Sequence, residues 1–138
     1  MKPIYILDAC AMLAVLAKEE GWEKVSELYR KAARGEITLI MHRLNLLEVY
    51  YGISREYGKD AANDLVADVK QSPIAINREI SDEIFLEAGR LKATYKISLA
   101  DSVALAQAIV SDGLLVTSDH HEFDVIESKE DIRLTRIR

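Results

Sequence analysis

Short, largely apolar runs alternate with segments of helical periodicity along the chain. The first run, 4–7, reads Ile-Tyr-Ile-Leu, and similar runs recur at 38–41, 74–76, 114–116 and 132–134. Strands this apolar must be covered on both faces, as in parallel sheets with helices packed above and below. Between them, apolar residues recur at helical spacing over 11–17, 22–34, 43–57, 60–71, 81–95 and 98–110. The pattern predicts an α/β fold with a short, mainly parallel central sheet.

The composition favours one folded domain. Of 138 residues, 49% are hydrophobic, and no Pro/Gly/Ser-rich linker or repeat divides the chain, so we expect a single domain over residues 1–138. No apolar run approaches the roughly 18 residues of a membrane helix, and the first residues lack a signal-peptide pattern. A single cysteine, Cys10, excludes an internal disulfide, so we expect a cytoplasmic protein. The net charge of −5, taken alone, argues against nucleic-acid binding.

Four carboxylates fall where an α/β sheet places its ligands. Asp8 directly follows the first predicted strand, and Asp119 follows the fourth. Asp101 lies in the first turn of the helix that precedes the fourth strand, and Glu48 lies on the helix after the second. Ligands of open α/β sheets bind at the carboxyl ends of the strands, near the point where the strand order reverses. We therefore expect the four side chains to converge there.

Each acid also has a purely local explanation. An Asp after a strand often caps the next helix, which would account for Asp8. Ser98 and Asp101 have the spacing of a capping box, in which each side chain bonds the other residue's backbone N–H. Glu48 could lie at the rim of a helix whose apolar face, formed by Leu46, Val49, Tyr50 and Ile53, belongs either to the core or to an interface. For a single acid these readings compete evenly with a functional one.

Taken together, the four acids indicate a metal site. Converging carboxylates repel one another unless they are protonated or bound to cations. Clusters of oxygen ligands suit Mg²⁺ or Mn²⁺. Such ions commonly serve phosphoryl chemistry, in which they activate water and neutralise charge on a phosphate. Two divalent cations would also offset most of the net charge of −5.

Four motifs in order resemble the PIN domain family, and within it the VapC-type toxins of toxin–antitoxin pairs. The resemblance covers the whole chain. The motifs are Ile4-Tyr5-Ile6-Leu7-Asp8, Asn45-Leu46-Leu47-Glu48, Ser98-Leu99-Ala100-Asp101 opening a helix of small residues, and Thr117-Ser118-Asp119 with Phe123 shortly after. One departure is at Ala9 and Cys10, where many relatives carry Ser, Thr or Asn.

The resemblance implies a three-layer α/β/α PIN-like fold and an endoribonuclease dependent on Mg²⁺ or Mn²⁺. Asp8, Asp101 and Asp119 would bind the metal, and Glu48 would complete the cluster or orient the attacking water. The implied partners are an RNA substrate, a cognate VapB-type antitoxin that covers the acids, and a second copy of the chain in a homodimer.

Two questions stay open at the level of sequence. The departure at Ala9 and Cys10 leaves room for a catalytically inactive PIN-like module that binds RNA or a protein partner. Basic residues that could contact phosphates are scattered along amphipathic helices, where charged side chains usually face solvent; they are Arg43, Arg78, Arg90, Lys92 and Lys96.

Overall fold

A five-stranded parallel sheet forms the centre of the molecule. The computed structural model describes residues 1–119 and 122–138. The strands are β1 (Ile4–Leu7), β2 (Thr38–His42), β3 (Ala75–Asn77), β4 (Leu114–Thr117) and β5 (Leu134–Arg136). The helices of the described residues are α1 (Ala9–Leu16), α2 (Trp22–Ala33), α3 (Arg43–Tyr57), α4 (Lys59–Lys70), α5 (Asp82–Thr94), α6 (Leu99–Val110) and α7 (Phe123–Glu127).

The strand order creates a switch point beside β1. The order is β3-β2-β1-β4-β5, and all four pairings are parallel. The chain runs outward from β1 through β2 to β3 and then returns to the other side of β1 for β4 and β5. The carboxyl ends of β1 and β4 are therefore adjacent where the order reverses, and this is where such sheets bind ligands.

Alternate side chains of the strands enter two separate cores. Leu7 of β1 belongs to a core that packs against α1, α2, α3 and α4, whereas its neighbour Ile6 belongs to a core that packs against α5, α6 and α7. The same alternation divides Val116 from Leu115 on β4. Since side chains on a strand point to opposite faces in turn, both faces of the sheet are covered. The predicted three-layer α/β/α fold with a parallel sheet is thus confirmed.

The structure corrects two details of the sequence prediction. The last strand is Leu134–Arg136 and not 132–134, because its register is set by pairing with β4 and not by local apolarity. The five-residue helix α7 was not predicted, since two buried residues, Phe123 and Ile126, are too few to show a helical period.

The apolar face of α3 belongs mainly to the core. Leu46 and Val49 are buried there, and Ile53 packs against them. The exposed large apolar residues of this helix are instead Leu47, Tyr51 and Tyr57. No helix of the described ranges is long and apolar enough to cross a membrane.

Gly21, in the α1–α2 turn, packs closely against Ile137, which directly follows β5. Replacing Gly21 tests that contact. Its φ is +93°, and a Cβ added there would lie 2.0 Å from the Ile137 carbonyl oxygen. We expect Gly21→Ala to lower the free energy of unfolding by at least about 2 kcal/mol, because it adds both backbone strain and a clash.

The matched control is Gly52→Ala in the middle of α3, where a Cβ would meet nothing within 4 Å. There we expect stabilisation of about 0.5–1 kcal/mol from the better helix propensity of alanine. Urea unfolding of both variants provides the measurement. Similar effects at the two positions would contradict the Gly21 contact.

Candidate metal centre

Asp8 both caps a helix and presents an unpaired oxygen. Its Oδ1 accepts the backbone N–H of Ala11 at 2.8 Å, which caps α1 as the local reading predicts. Its Oδ2 is buried and has no hydrogen-bond partner among the described residues. The Thr117 side chain lies near enough to favour the ionised carboxylate, although it makes no hydrogen bond of ordinary geometry to Oδ2. The cap and the functional reading are therefore compatible.

Asp101 is not held in the predicted capping box. The Ser98 hydroxyl accepts the Asp101 backbone N–H at 3.1 Å, which is half of that motif. The Ser98 N–H, however, donates to Oε1 of Glu122 at 3.2 Å instead of to Asp101. Glu122 thus takes the place of the acid in the capping box, and the Asp101 carboxylate is left available to the cluster.

Asn45 connects α3 to the start of α6. Its Nδ2 donates to the carbonyl oxygen of Ala100 at 3.3 Å, directly before Asp101. Asn45 is completely buried. This contact fixes the helix that carries Glu48 relative to the helix that carries Asp101.

Asp119 and Glu122 complete the cluster from the segment after β4. The Asp119 N–H donates to the Thr117 hydroxyl at 2.9 Å, and the Glu122 N–H donates to Oδ1 of Asp119 at 3.3 Å. Ligand atoms of Asp101, Asp119 and Glu122 all lie within 4.8 Å of one another. His120 and His121, between these two acids, lie outside the described residues.

Glu122 is the acid that the sequence analysis missed. It lies three residues after Asp119 and directly before the buried Phe123, and its N–H donates to Oδ1 of Asp119. The spacing was visible in the sequence, but the contact with Ser98 comes from 24 residues away. One oxygen, Oε2, is buried without a hydrogen-bond partner in the described part of the chain.

Glu48 lies at the edge of the same cluster. It is half-buried, and burial followed by the charges of Glu122 and Asp119 raises its pKa. It also acts electrostatically on Asp8 and Asp101. The structure therefore brings all four predicted acids within electrostatic reach of one another. The tight group of three consists, however, of Asp101, Asp119 and Glu122 and includes neither Asp8 nor Glu48.

Burial and mutual repulsion raise the pKa values of Asp8 and Asp101. Burial, with the charges of Asp119 and Glu48, raises the pKa of Asp8 to about 7. Burial, the adjacent Glu122 carboxylate and the charge of Asp8 raise the pKa of Asp101 to about 9. Such shifts mean that the ionised cluster is costly without a cation. The donor set consists of carboxylate oxygens, with one unpaired buried oxygen on Asp8 and one on Glu122, and this suits a hard divalent ion.

Cys10 is a neutral thiol beside the cluster. Burial and the negative charges of Asp8, Asp101, Asp119 and Glu48 raise its pKa to about 12. Since the thiolate is the reactive form, Cys10 is a poor nucleophile. The departure from the usual Ser, Thr or Asn thus places a weak hydrogen-bonding group beside the acids.

The raised pKa values predict that the metal-free protein loses stability as the pH rises. Between about pH 7 and pH 8.5 the unfolded chain has already lost both carboxyl protons, whereas the folded chain must give them up. We expect the free energy of unfolding in EDTA to fall by on the order of 2 kcal/mol across this interval. His42, whose pKa is lowered by burial, is still partly charged in the unfolded chain at pH 7, and it adds only a small change of opposite sign over this interval.

Urea unfolding at the two pH values, in EDTA, measures this loss. Asp101→Asn should flatten the pH dependence and be the more stable protein at the higher pH, whereas Asp82→Asn on the exposed start of α5 should behave as the unmodified chain. A metal-free protein whose stability is constant or rises over this interval would contradict the description of the cluster.

Comparison with known proteins agrees with this geometry. The family described as PIN domain matches residues 5–129. The chain superposes on VapBC-1 from nontypeable Haemophilus influenzae with a TM-score of 0.73 at 18% identity, covering 97% of this chain and 98% of the other. VapBC2 from Rickettsia felis, solved bound to a promoter DNA fragment, superposes with a TM-score of 0.72 at 21% identity, covering 96% of this chain and 98% of the other.

A third structure is VapC20 from Mycobacterium tuberculosis, described as a sarcin-ricin loop cleaving toxin. It matches with a TM-score of 0.68 at 13% identity, covering 88% of this chain and 94% of that one. At these identities the likeness concerns the fold. Comparison with curated protein sequences gives no match. Because the family match spans most of the chain and all of the acids described above, the protein belongs to the PIN domain family.

Proposed function

We propose that this protein is a metal-dependent endoribonuclease of the VapC-like toxin class, acting with Mg²⁺ or Mn²⁺. PIN domain proteins are typically nucleases, and this chain belongs to that family. The observation that carries the proposal is the convergence of five acids at the β1/β4 switch point, three of which have ligand atoms within 4.8 Å of one another. Oxygen clusters of this kind serve phosphodiester hydrolysis.

The acids divide into two roles. Asp101, Asp119 and Glu122 would bind the ion, and the unpaired Oδ2 of Asp8 would supply a further oxygen ligand. When bound, the ion neutralises charge on the phosphodiester and activates the attacking water. Glu48, half-buried at the edge of the cluster, would orient that water and accept its proton, and the rise in its pKa caused by burial makes it a stronger base.

The partners follow from the same assignment. Structures that share this fold were solved as VapBC complexes, and we propose a VapB-type antitoxin that covers the acids of this chain. Exposed Leu47 and Tyr51 on α3, and Phe85 and Leu86 on α5, leave apolar surface for a homodimer. Both partners and the substrate fit a cytoplasmic protein.

A second candidate is a PIN-like module that binds RNA or a protein without cleaving it. The supporting observation is Cys10, whose neutral thiol replaces a stronger hydrogen-bonding side chain beside Asp8. The acid cluster favours the enzyme, because a module that only binds has no use for carboxylates that repel one another.

Cleavage of a mixed RNA pool tests the proposal. With Mn²⁺ or Mg²⁺ the protein should cut, and EDTA should abolish the activity. Losing an outer partner of a metal site typically costs 10–100-fold, so Glu122→Gln, which removes a direct ligand, should lower the rate by at least about 100-fold. Asp101→Asn should do the same. Both changes remove charge with little change in shape.

The matched control is Glu83→Gln, which makes the same chemical change on the exposed first turn of α5. Its activity should equal that of the unmodified chain. Cleavage that survives both Glu122→Gln and Asp101→Asn would refute the site, and RNA binding with no cleavage in either metal would favour the inactive module.

A further inference from the structure

A cleft beside the candidate metal centre is lined with lysines. Its volume is about 730 Å³, and it lies between the end of α5, the connection to α6, and α7. Glu122 lines this cleft and also belongs to the tight acid group. Ser98, whose N–H donates to Glu122, lines it as well. The cleft and the acid group therefore share Glu122.

Three exposed lysines, Lys92, Lys96 and Lys129, surround the cleft. Lys92 donates to the carbonyl oxygen of Ile97 at 2.7 Å and so fixes the connection between α5 and α6. Within residues 1–119 and 122–138, no ion pair involves Lys96 or Lys129. Their ammonium groups are thus available to a negatively charged ligand.

The nearby arginines are already neutralised. Arg90, which the sequence offered as a phosphate contact, pairs with Glu87 and, at 2.8 Å, with Glu130. Arg136 pairs with Asp124 and Glu127. Lys96 and Lys129, in contrast, line the cleft and have no ion pair among the described residues.

We propose that the cleft holds the phosphate backbone of single-stranded RNA next to the scissile bond, with Lys96 and Lys129 contacting its phosphates. The inference rests on the proposed function and assigns a path to its substrate. Acids that repel a polyanion need positive charge close by to hold the flanking phosphates, and the lysines of a cleft that shares Glu122 with the acids supply it. Tyr95 and the exposed Val125 form an apolar wall for the sugars and bases.

The charge of the cleft favours RNA over an acidic protein segment as its occupant. Only the RNA must reach both the acids and the lysines at once, and Glu122 belongs to both sites. A protein inhibitor could cover the acids without touching Lys129. The experiment below separates the two.

The test compares Lys96→Gln/Lys129→Gln with the unmodified chain. Each phosphate contact to a single strand contributes about 0.7 to the slope of log affinity against log salt, so losing two should lower the slope by about 1.4 and weaken binding roughly 25-fold at about 0.1 M salt. In steady-state cleavage this appears as a higher KM with kcat nearly unchanged, because the contacts are made equally in ground and transition states.

Two controls match the double variant. Lys59→Gln/Lys70→Gln removes two exposed lysines from α4, outside the cleft, and should change neither KM nor the salt slope. Lys96→Arg/Lys129→Arg keeps the charges and should retain most of the binding. Equal losses in both lysine pairs, or an unchanged KM and slope in the cleft variant, would overturn the proposal.

Failure of the cleft and failure of the proposed function give different results. If the unmodified protein cleaves and the cleft variant cleaves with the same KM, the function stands and the cleft assignment is wrong. If the unmodified protein does not cleave, RNA binding by the unmodified chain and by the cleft variant is compared by fluorescence anisotropy with a short single-stranded RNA in Mn²⁺. This comparison tests the cleft independently of cleavage. RNA binding that the cleft variant retains in full would then refute it.

Discussion

The burial of carboxylates that also repel one another is the constraint on which the rest of this structure depends. Asp8 and Asp101 are buried beside Asp119, Glu122 and Glu48, and the pKa values of Asp8 and Asp101 rise to about 7 and about 9 as a result. A fold selected for stability alone would replace such groups with neutral ones. Their presence is explained if the cluster binds a divalent cation, because the attraction of the carboxylates to the cation would offset their mutual repulsion.

The rest of the fold keeps these acids in place against their repulsion. The strand order puts the carboxyl ends of β1 and β4 side by side, so Asp8 and the segment that carries Asp119 meet without a long loop. Asp8 is fixed by its own cap on α1. The Ser98 N–H donates to Glu122 instead of Asp101, and this exchange of partners connects the start of α6 to the residue before α7. It also leaves the Asp101 carboxylate available to the cluster. The same exchange joins the acids to the lysine-lined cleft.

Much of the fold and of the candidate site was predictable from short sequence patterns. The features that were missed depend on contacts between residues remote in sequence. The apolar run 4–7 followed by Asp8 predicted both a buried strand and an acid at its end, because a short continuous apolar run is a local property of the sequence. Glu122 was not predicted as a site residue, because its hydrogen-bond partner Ser98 is remote in sequence. The register of β5 and the burial of Leu46 and Val49 likewise follow from pairing and packing, which periodicity does not specify. Only half of the predicted capping box forms, because the Ser98 hydroxyl accepts the Asp101 N–H while the Ser98 N–H donates to the remote Glu122.

Calorimetric titration of Mn²⁺ into the protein tests the central claim most directly, because it measures what the acids bind without any assumption about substrate. We predict saturable binding to the unmodified chain, a loss of that binding in Asp101→Asn and in Glu122→Gln, and unchanged binding in Glu83→Gln. An absence of binding to the unmodified chain, or equal binding to all four proteins, would contradict the assignment of these carboxylates to a metal.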